Sequence, residues 1–191
     1  MSAKLIKPKR FGDDRGWFAE TYNRQAYLEL GVTAQFCQDN HAFSAPPWVL
    51  RGLHFQTPPH AQAKLIRCVR GAIWDVLVDL RRGSPTYARW VATKLAADNG
   101  LQVFAPEGFA HGYLTLAPAT EVEYKVTDFH APECEGGVIW NDETLKLPWP
   151  LGGAEPVISE RDARLPTLAA FDSPFAYDGS PLDFDDFRSP A

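Results

Sequence analysis

Between positions 64 and 128 the chain consists of short β-branched and aromatic runs separated by turn residues, and this spacing limits the possible folds. The runs cover 64–69, 72–80, 87–95, 101–105, 113–116 and 121–128. Short strands at such spacing are typical of antiparallel sandwiches and barrels, whereas alternating strands and helices would indicate a parallel sheet. We therefore predict a mainly β fold, in which 64–69 and 72–80 pair as a hairpin across Arg70 and Gly71.

Helical signals are few. A cap at Asn23, apolar Tyr27 and Leu28 and a stop at Gly31 predict one short helix. Residues 161–170 contain a second helical pattern. We predict a single domain over residues 1–170, followed at 171–191 by an acidic, aromatic C-terminal tail that is irregular or mobile.

Charge and composition exclude several classes of protein. The net charge is −5 and the chain has no run of Lys or Arg, which argues against nucleic-acid binding. The start of the chain lacks the apolar stretch of a signal peptide, and no apolar run is long enough to span a membrane. The three cysteines are widely spaced and form no CxxC pair, as expected for reduced thiols. We expect a cytoplasmic protein with no membrane or nucleic-acid partner.

The stretch from Arg51 to Gln56, with Lys64 shortly after it, brings a histidine and two cations close together in the sequence. In a regular strand His54 would share a face with Gly52 and Gln56, while Arg51 would point the other way. Arg51 can join His54 only if the strand twists or bulges, and Gly52 is a plausible position for a bulge.

Two aspartates interrupt the apolar run 72–80. An acid inside an apolar strand either faces solvent or is paired with a buried group. For Asp75 and Asp79 the sequence leaves both alternatives open.

The turn Pro106-x-Gly108-x-x-His111 resembles the second histidine motif of cupin barrels, which are double-stranded β-helices of the jelly-roll type. A metal-binding cupin also has a His-x-His pair followed by a glutamate. Here His54-Phe55-Gln56 offers one ligand, so His54 and His111 alone are too few for a metal site. We predict a cupin-type barrel with a few short helices and without a metal or other cofactor.

An ordered set of motifs carries a more specific resemblance. The segments VLRGLHFQ, QAKL, DVLVDLR, GSPT, APEGFAHGY, EYKVTD and IWND, within residues 11–168, resemble the dTDP-4-dehydrorhamnose 3,5-epimerase family. The resemblance implies a metal-free barrel that forms a homodimer. It also implies a dTDP-linked 4-keto-6-deoxy sugar as substrate, usually within dTDP-rhamnose biosynthesis.

The resemblance also implies roles for individual residues. His54 falls on the proton acceptor, Tyr124 on the proton donor and Asp162 on the acid that pairs with the histidine. Lys64 falls on a substrate-binding position where a cation can stabilise an enolate. Further substrate-binding positions are Arg15, Glu20, Gln38, Asn40, Arg51, His111, Glu135 and Arg161. The family commonly has a tyrosine that stacks on the thymine ring where this chain has His130. The resemblance therefore does not supply this stacking contact to the thymine.

These residue types suit proton transfer beside a ketone. Removal of such a proton needs a base close by and a cation for the enolate oxygen, and an acid on the other face of the sugar must return a proton. Carbons 3 and 5 both neighbour the carbon-4 ketone, so one set of groups could serve both.

Other functions remain open at this point. They are a single-centre epimerase or ketoisomerase on a related dTDP-keto-sugar, a non-catalytic sugar-nucleotide-binding cupin, and a metal-dependent oxygenase, which Gln56 disfavours. From spacing alone, a hydrogen-bonded barrel histidine at position 54 and a core tyrosine at position 124 are favoured, and only the ordered motif set reverses this.

Overall fold

The computed structural model describes residues 1–187, and these residues contain twelve strands. The first six strands are β1 (Lys4–Ile6), β2 (Arg10–Asp13), β3 (Gly16–Ala19), β4 (Gln38–Ser44), β5 (Leu50–Gln56) and β6 (Lys64–Arg70). The others are β7 (Ala72–Asp79), β8 (Trp90–Ala96), β9 (Gln102–Ala105), β10 (Phe109–Thr115), β11 (Thr120–Val126) and β12 (Glu135–Gly137). The predicted runs therefore became strands, with some shifts at their ends.

Ten of these strands form two five-stranded antiparallel sheets. The first sheet has the order β1-β9-β6-β11-β4 and the second the order β12-β5-β10-β7-β8, while β2 and β3 form a separate hairpin. Buried side chains of both sheets meet in one core, as Ile66 and Val122 of the first sheet pack with Leu77 and Phe109 of the second. This is the jelly-roll barrel of cupins, and the predicted fold class is confirmed.

The predicted hairpin between β6 and β7 is wrong. The two strands are consecutive in the chain but lie in different sheets, where β6 pairs with β9 and β11 and β7 pairs with β8 and β10. Gly71 has a φ of +75°, and a Cβ there would lie 2.5 Å from the hydroxyl of Thr120. The sharp turn at Gly71 thus serves as a corner between sheets, which local sequence cannot distinguish from a hairpin turn.

Helices are short, as predicted. Helix α1 (Arg24–Glu29) begins after Asn23, whose side chain accepts hydrogen bonds from the backbone N–H groups of Gln25 and Ala26. The helical pattern near the C-terminus becomes two 3₁₀ turns, Asp162–Arg164 and Leu168–Ala170. Two further 3₁₀ turns lie at Pro132–Cys134 and Asp185–Phe187.

The tail is irregular, as predicted, but its described part is packed onto the barrel. Leu182 and Phe187 are buried in the core between the sheets, and Phe175 is buried against the second sheet. The aromatic and apolar side chains of the tail thus pack into both core clusters, so of the two alternatives, irregular or mobile, residues 171–187 show the irregular one. Residues 188–191 of the predicted tail lie outside the described residues.

Within residues 1–187, no helix is both long enough and apolar enough to cross a membrane.

Candidate active site

A cavity of about 520 Å³ lies between the two sheets and contains most of the predicted site residues. We call it the barrel cavity, and its lining includes Arg51, His54, Lys64, His111, Tyr124, Arg161 and Asp162. These residues come from β5, β6, β10, β11 and the segment that leads into Asp162–Arg164. Residues far apart in the chain thus converge on one site.

A bulge in β5 brings Arg51 and His54 to the same cavity. His54 pairs with His111 and Arg51 with Tyr113, so Gly52 and Leu53 lie opposite Gly112 alone. Gly52 has a φ of +117°, and a Cβ there would lie 2.6 Å from the Cα of Gly112. The bulge at Gly52, which the sequence raised as a possibility, is confirmed.

His54 is held by a buried carboxylate. Its Nε2 lies 2.7 Å from Oδ1 of Asp162, and Oδ2 of Asp162 accepts a hydrogen bond from the backbone N–H of Gly52 at 3.1 Å. Burial alone would raise the pKa of Asp162, but the hydrogen bond and charge of His54 outweigh it and the net pKa is lowered. A carboxylate can only accept, so the imidazole N–H is Nε2–H and Nδ1 is left as a base.

Lys64 is a cation that lies beside His54 in the cavity. Its Nζ lies 3.5 Å from the backbone oxygen of His54. Burial lowers the pKa of Lys64 to about 8, although the negative charges of Glu135 and Asp75 act in the opposite direction. An ammonium group in such a poorly solvated place interacts strongly with a charge that develops beside it.

Tyr124 reaches the cavity from the opposite sheet. It lies on β11 of the first sheet, whereas His54 lies on β5 of the second. Burial raises the pKa of Tyr124, with a smaller opposing effect from the charge of Arg51. Its hydroxyl has no hydrogen-bond partner among residues 1–187. The phenol is therefore protonated, and it lines the cavity from the sheet opposite to that of His54.

A second histidine–aspartate pair lies beside the first. Nε2 of His111 is 2.7 Å from Oδ2 of Asp75, whose side chain is only 1% exposed. The sequence indicated His111 as a site residue but did not assign Asp75 to the site. The signal that could have found Asp75 was an acid in an apolar strand, for which the sequence left two alternatives open.

An ion-pair cluster connects three other predicted residues. Oε1 of Glu135 lies 3.0 Å from Nε2 of His130, and Oε2 lies 2.7 Å from Nη2 of Arg161. Partial burial alone would raise the pKa of Glu135, but the hydrogen bonds from Arg161 and His130 outweigh it and lower the pKa. The side chain of His130 is 56% exposed, and we call this cluster of three residues the Glu135 cluster.

Gln38 and Asn40 lie on β4, at the edge of the first sheet. The amide of Gln38 donates to Oδ1 of Asn40 at 2.9 Å, so the two side chains lie on one face as the alternation predicted. Asn40 pairs in register with Tyr124. Both amides therefore lie on the strand next to the one that carries Tyr124.

Arg15 and Glu20 lie apart from the barrel cavity of their own chain. Arg15 is in the turn between β2 and β3, its side chain is 89% exposed, and it pairs with Asp13. Glu20 directly follows β3 and accepts a hydrogen bond from Asn23 at 3.3 Å. The role that the sequence assigned to both residues stays a prediction.

Among residues 1–187 no group of three or more His, Cys, Asp or Glu side chains is arranged to hold a metal ion. Gln56 occupies the position where a metal cupin has its second histidine, and its side chain is hydrogen-bonded to backbone carbonyl groups. Its amide donates to the carbonyl of His60 at 2.7 Å and to that of Phe129 at 3.2 Å. Gln56 thus fixes the loop that precedes His130.

A second cavity, of about 240 Å³, lies on the outer face of the first sheet. Its charged side chains are paired with one another, Arg67 with Glu123 at 2.5 Å and Lys125 with Asp39 at 2.8 Å. It offers no base, acid and free cation together, and the barrel cavity is therefore the candidate active site.

Known proteins similar to this chain include several dTDP-4-dehydrorhamnose 3,5-epimerases. A family profile described as dTDP-4-dehydrorhamnose 3,5-epimerase matches residues 2–170. The dTDP-4-dehydrorhamnose 3,5-epimerase of Pseudomonas aeruginosa is 52% identical over 159 residues, which are 83% of this chain and 86% of that protein.

Two solved structures are also similar. The dTDP-4-dehydrorhamnose 3,5-epimerase of Bacillus anthracis, with TDP and PPi bound, has a TM-score of 0.85 and 50% identity, over 87% of this chain and 94% of that one. The dTDP-6-deoxy-D-glucose-3,5-epimerase of Legionella pneumophila, in complex with dTDP-4-keto-L-rhamnose, has a TM-score of 0.87 and 40% identity, over 92% and 93%.

Proposed function

We propose a reaction for this chain, which belongs to the dTDP-4-dehydrorhamnose 3,5-epimerase family. It converts dTDP-4-dehydro-6-deoxyglucose to dTDP-4-dehydrorhamnose, with His54 as base and Tyr124 as acid. One observation carries the proposal. His54, backed by Asp162, and Tyr124 line the same cavity from facing sheets. Inversion of a carbon needs a proton to leave on one face and return on the other, and this arrangement provides both groups.

The first half of each inversion is proton removal. Nδ1 of His54 takes the proton of carbon 3, and the electron pair of the broken C–H bond moves into an enolate with its charge on the oxygen of carbon 4. Asp162 holds the imidazole in place and stabilises the imidazolium that forms. Lys64 stabilises the enolate oxygen.

The second half is proton return. Tyr124 gives its hydroxyl proton to carbon 3 on the opposite face, and the ketone at carbon 4 re-forms. The phenolate then regains a proton from solvent and His54 releases its own. The same groups act at carbon 5, because it also neighbours carbon 4.

The nucleotide half of the substrate needs positive charge for the diphosphate. Arg51 and Arg161 both line the barrel cavity, and guanidinium groups bind phosphate oxygens through paired hydrogen bonds. In the proposal they hold the diphosphate, with His111, Gln38, Asn40 and Glu135 placing the sugar and nucleoside. His130, beside Glu135, is proposed to lie next to the thymine ring.

A homodimer would explain how Arg15 and Glu20 can bind substrate although they lie away from the barrel cavity of their own chain. The hairpin that carries Arg15 exposes Phe11, Trp17 and Phe18 by 54%, 59% and 65%. Neighbouring aromatic rings exposed to this extent are typical of protein contacts. We propose that this hairpin packs against a second copy of the chain and brings Arg15 and Glu20 towards that copy's cavity.

We also propose that the enzyme works in the cytoplasm. Cys37, Cys68 and Cys134 are all free thiols in the structure, as expected in a reducing compartment.

Proton NMR of dTDP-4-keto-6-deoxyglucose in deuterated water tests the reaction. We expect the protons of carbons 3 and 5 both to exchange with solvent and the product to be dTDP-4-dehydrorhamnose. Exchange at one carbon only, after prolonged incubation, would show a single-centre epimerase. Tight binding of the nucleotide sugar without any exchange would show a non-catalytic binding protein.

A further inference from the structure

Strand β7 carries two buried aspartates on one face, and their surroundings differ. Both oxygens of Asp79 are engaged: Arg81 donates to Oδ1 and Oδ2 at 2.9 Å, while Ser84 and Thr86 donate to Oδ2 at 2.7 and 2.8 Å. Asp75 has one partner, His111 at 2.7 Å, and its Oδ1 is buried without a hydrogen-bond partner among residues 1–187.

An incompletely paired buried carboxylate lowers the stability of a fold. Packing therefore does not explain why an aspartate occupies position 75, since neighbouring core positions of β7 hold Ile73 and Leu77. Buried groups of this kind are concentrated at functional sites. Asp75 acts on two residues of the proposed active site, on His111 through a hydrogen bond and on Lys64 through its charge.

Asp75 determines which nitrogen of His111 faces the cavity. A carboxylate accepts hydrogen bonds and cannot donate them, so the hydrogen of a neutral His111 lies on Nε2, between the two side chains. Nδ1 then has a free lone pair, and it has no partner among residues 1–187. Because His111 pairs in register with His54, this acceptor lies beside the proposed base.

Asp75 also acts on Lys64 through its charge. Burial lowers the pKa of Lys64 to about 8, while the charges of Glu135 and then Asp75 hold it up. Without Asp75, Glu135 alone would oppose the burial, and the ammonium form would be lost at a lower pH. The other titratable groups that line the same cavity are Arg51, His54, His111, Tyr113, Tyr124, Arg161 and Asp162.

We propose that Asp75 is a positioning residue of the epimerase: it holds His111 so that Nδ1 of that ring orients a hydroxyl group of the sugar, and its buried negative charge acts on Lys64 beside the ketone. This inference rests on the proposed function, because it assumes that the barrel cavity holds the keto sugar. It adds a residue that contacts no substrate but acts through two that do.

The test compares Asp75→Asn with Asp79→Asn, a matched change on the same strand. For Asp75→Asn we expect kcat to fall at least about 10-fold, since loss of an orienting aspartate can cost far more. The alkaline limb of its kcat/KM profile should move to lower pH, while its affinity for dTDP, which lacks the sugar, should stay within about twofold of wild type. Asp79→Asn should melt at a lower temperature and, assayed well below that temperature, keep the wild-type pH profile.

A wild-type kcat and an unmoved alkaline limb in folded Asp75→Asn would overturn the proposal, as would an equal shift of that limb in Asp79→Asn. If Asp75→Asn does not fold, nitrogen-15 NMR of histidine-labelled wild type decides. A hydrogen on Nε2 and a free lone pair on Nδ1 of His111 support the proposal, and the reverse tautomer or a doubly protonated ring overturns it.

Failure of the proposed function is recognisable separately. In that case wild type itself would not exchange the protons of carbons 3 and 5. If wild type exchanges them and His54→Ala does not, while Asp75→Asn behaves as wild type, only the inference about Asp75 is lost.

Discussion

The barrel cavity and the surroundings of Asp79 contain similar charged groups that are paired to very different degrees. Around Asp79, an arginine, a serine and a threonine use both carboxylate oxygens, and Arg81 also lies over the ring of Phe109 at 4.5 Å. In the cavity, the hydroxyl of Tyr124 has no partner among residues 1–187, and Oδ1 of Asp75, buried behind His111, has none there either. Complete pairing stabilises a fold, whereas incompletely paired groups are concentrated at functional sites.

The largest expected effect is on the cavity side. Replacing His54 with alanine should lower kcat about 100- to 10,000-fold, because the base acts in the transition state. Affinity for dTDP, measured by calorimetry, should change little. His41→Ala is the control, since His41 is an exposed histidine that pairs with Glu121. Wild-type turnover in His54→Ala would make His54 a structural histidine.

In the surroundings of Asp79, Arg81→Met should lower the free energy of unfolding and leave kcat unchanged. Removal of the guanidinium leaves Asp79 buried with part of its pairing lost, which typically costs about 3–5 kcal/mol of unfolding free energy. Arg82→Ala is the matched control, because Arg82 pairs with Asp172 at the surface and should matter by less than about 1 kcal/mol. Urea denaturation measures both, and kcat at low temperature should equal that of wild type. A large loss of kcat in folded Arg81→Met would remove the distinction between the two regions.

The pH dependence sharpens the comparison further. The lowered pKa of Lys64, about 8, means that the ammonium form is present below that pH and is lost above it. We expect kcat/KM to fall as pH rises through about 8, by about tenfold per unit at the limit. The pKa of Tyr124 is raised, so its ionisation does not add to this limb. Lys64→Arg keeps a cation at all these pH values and should remove the limb. A limb that persists unchanged in Lys64→Arg would exclude Lys64 as its source.

The smallest effect concerns the Glu135 cluster. His130→Tyr supplies a larger ring, and stacking of an aromatic side chain on a base is worth about 1–3 kcal/mol. The new side chain also gives up the ion pair with Glu135, so we expect dTDP affinity to improve only severalfold. His130→Ala should weaken it modestly, and Phe129→Ala tests the neighbouring exposed ring. Identical dTDP affinities in wild type, His130→Ala and His130→Tyr would show that His130 does not contact the base.

Local pattern predicted local structure well. The alternation and turn residues predicted most strands, and Asn23 and Gly31 marked the only α-helix of residues 1–187. The wrong hairpin at Gly71 has a simple reason. A tight turn has the same local sequence whether its strands pair with each other or enter different sheets, and the choice depends on β8 to β11.

At the site, too, the sequence predicted individual residues but not the contacts between residues on distant strands. Motifs indicated His54, Tyr124 and Asp162, but the sequence could not place Arg15 and Glu20 on a hairpin away from the cavity, nor assign Asp75 to His111. The contact between Asp75 and His111 depends on the register between β7 and β10, in which Leu77 rather than Asp75 is directly opposite His111. Contacts of this kind are visible only in three dimensions.

The packed tail has a consequence for synthesis of the protein. Leu182 and Phe187 complete the core between the sheets, and the backbone N–H of Leu182 donates to the hydroxyl of Thr86 at 3.1 Å. These side chains follow all twelve strands in the chain, so the strands are synthesised before the residues that complete their core. Barrel strands without the tail expose apolar surface and sheet edges that favour aggregation. A stop codon after Ala170 should therefore reduce the soluble yield of the protein.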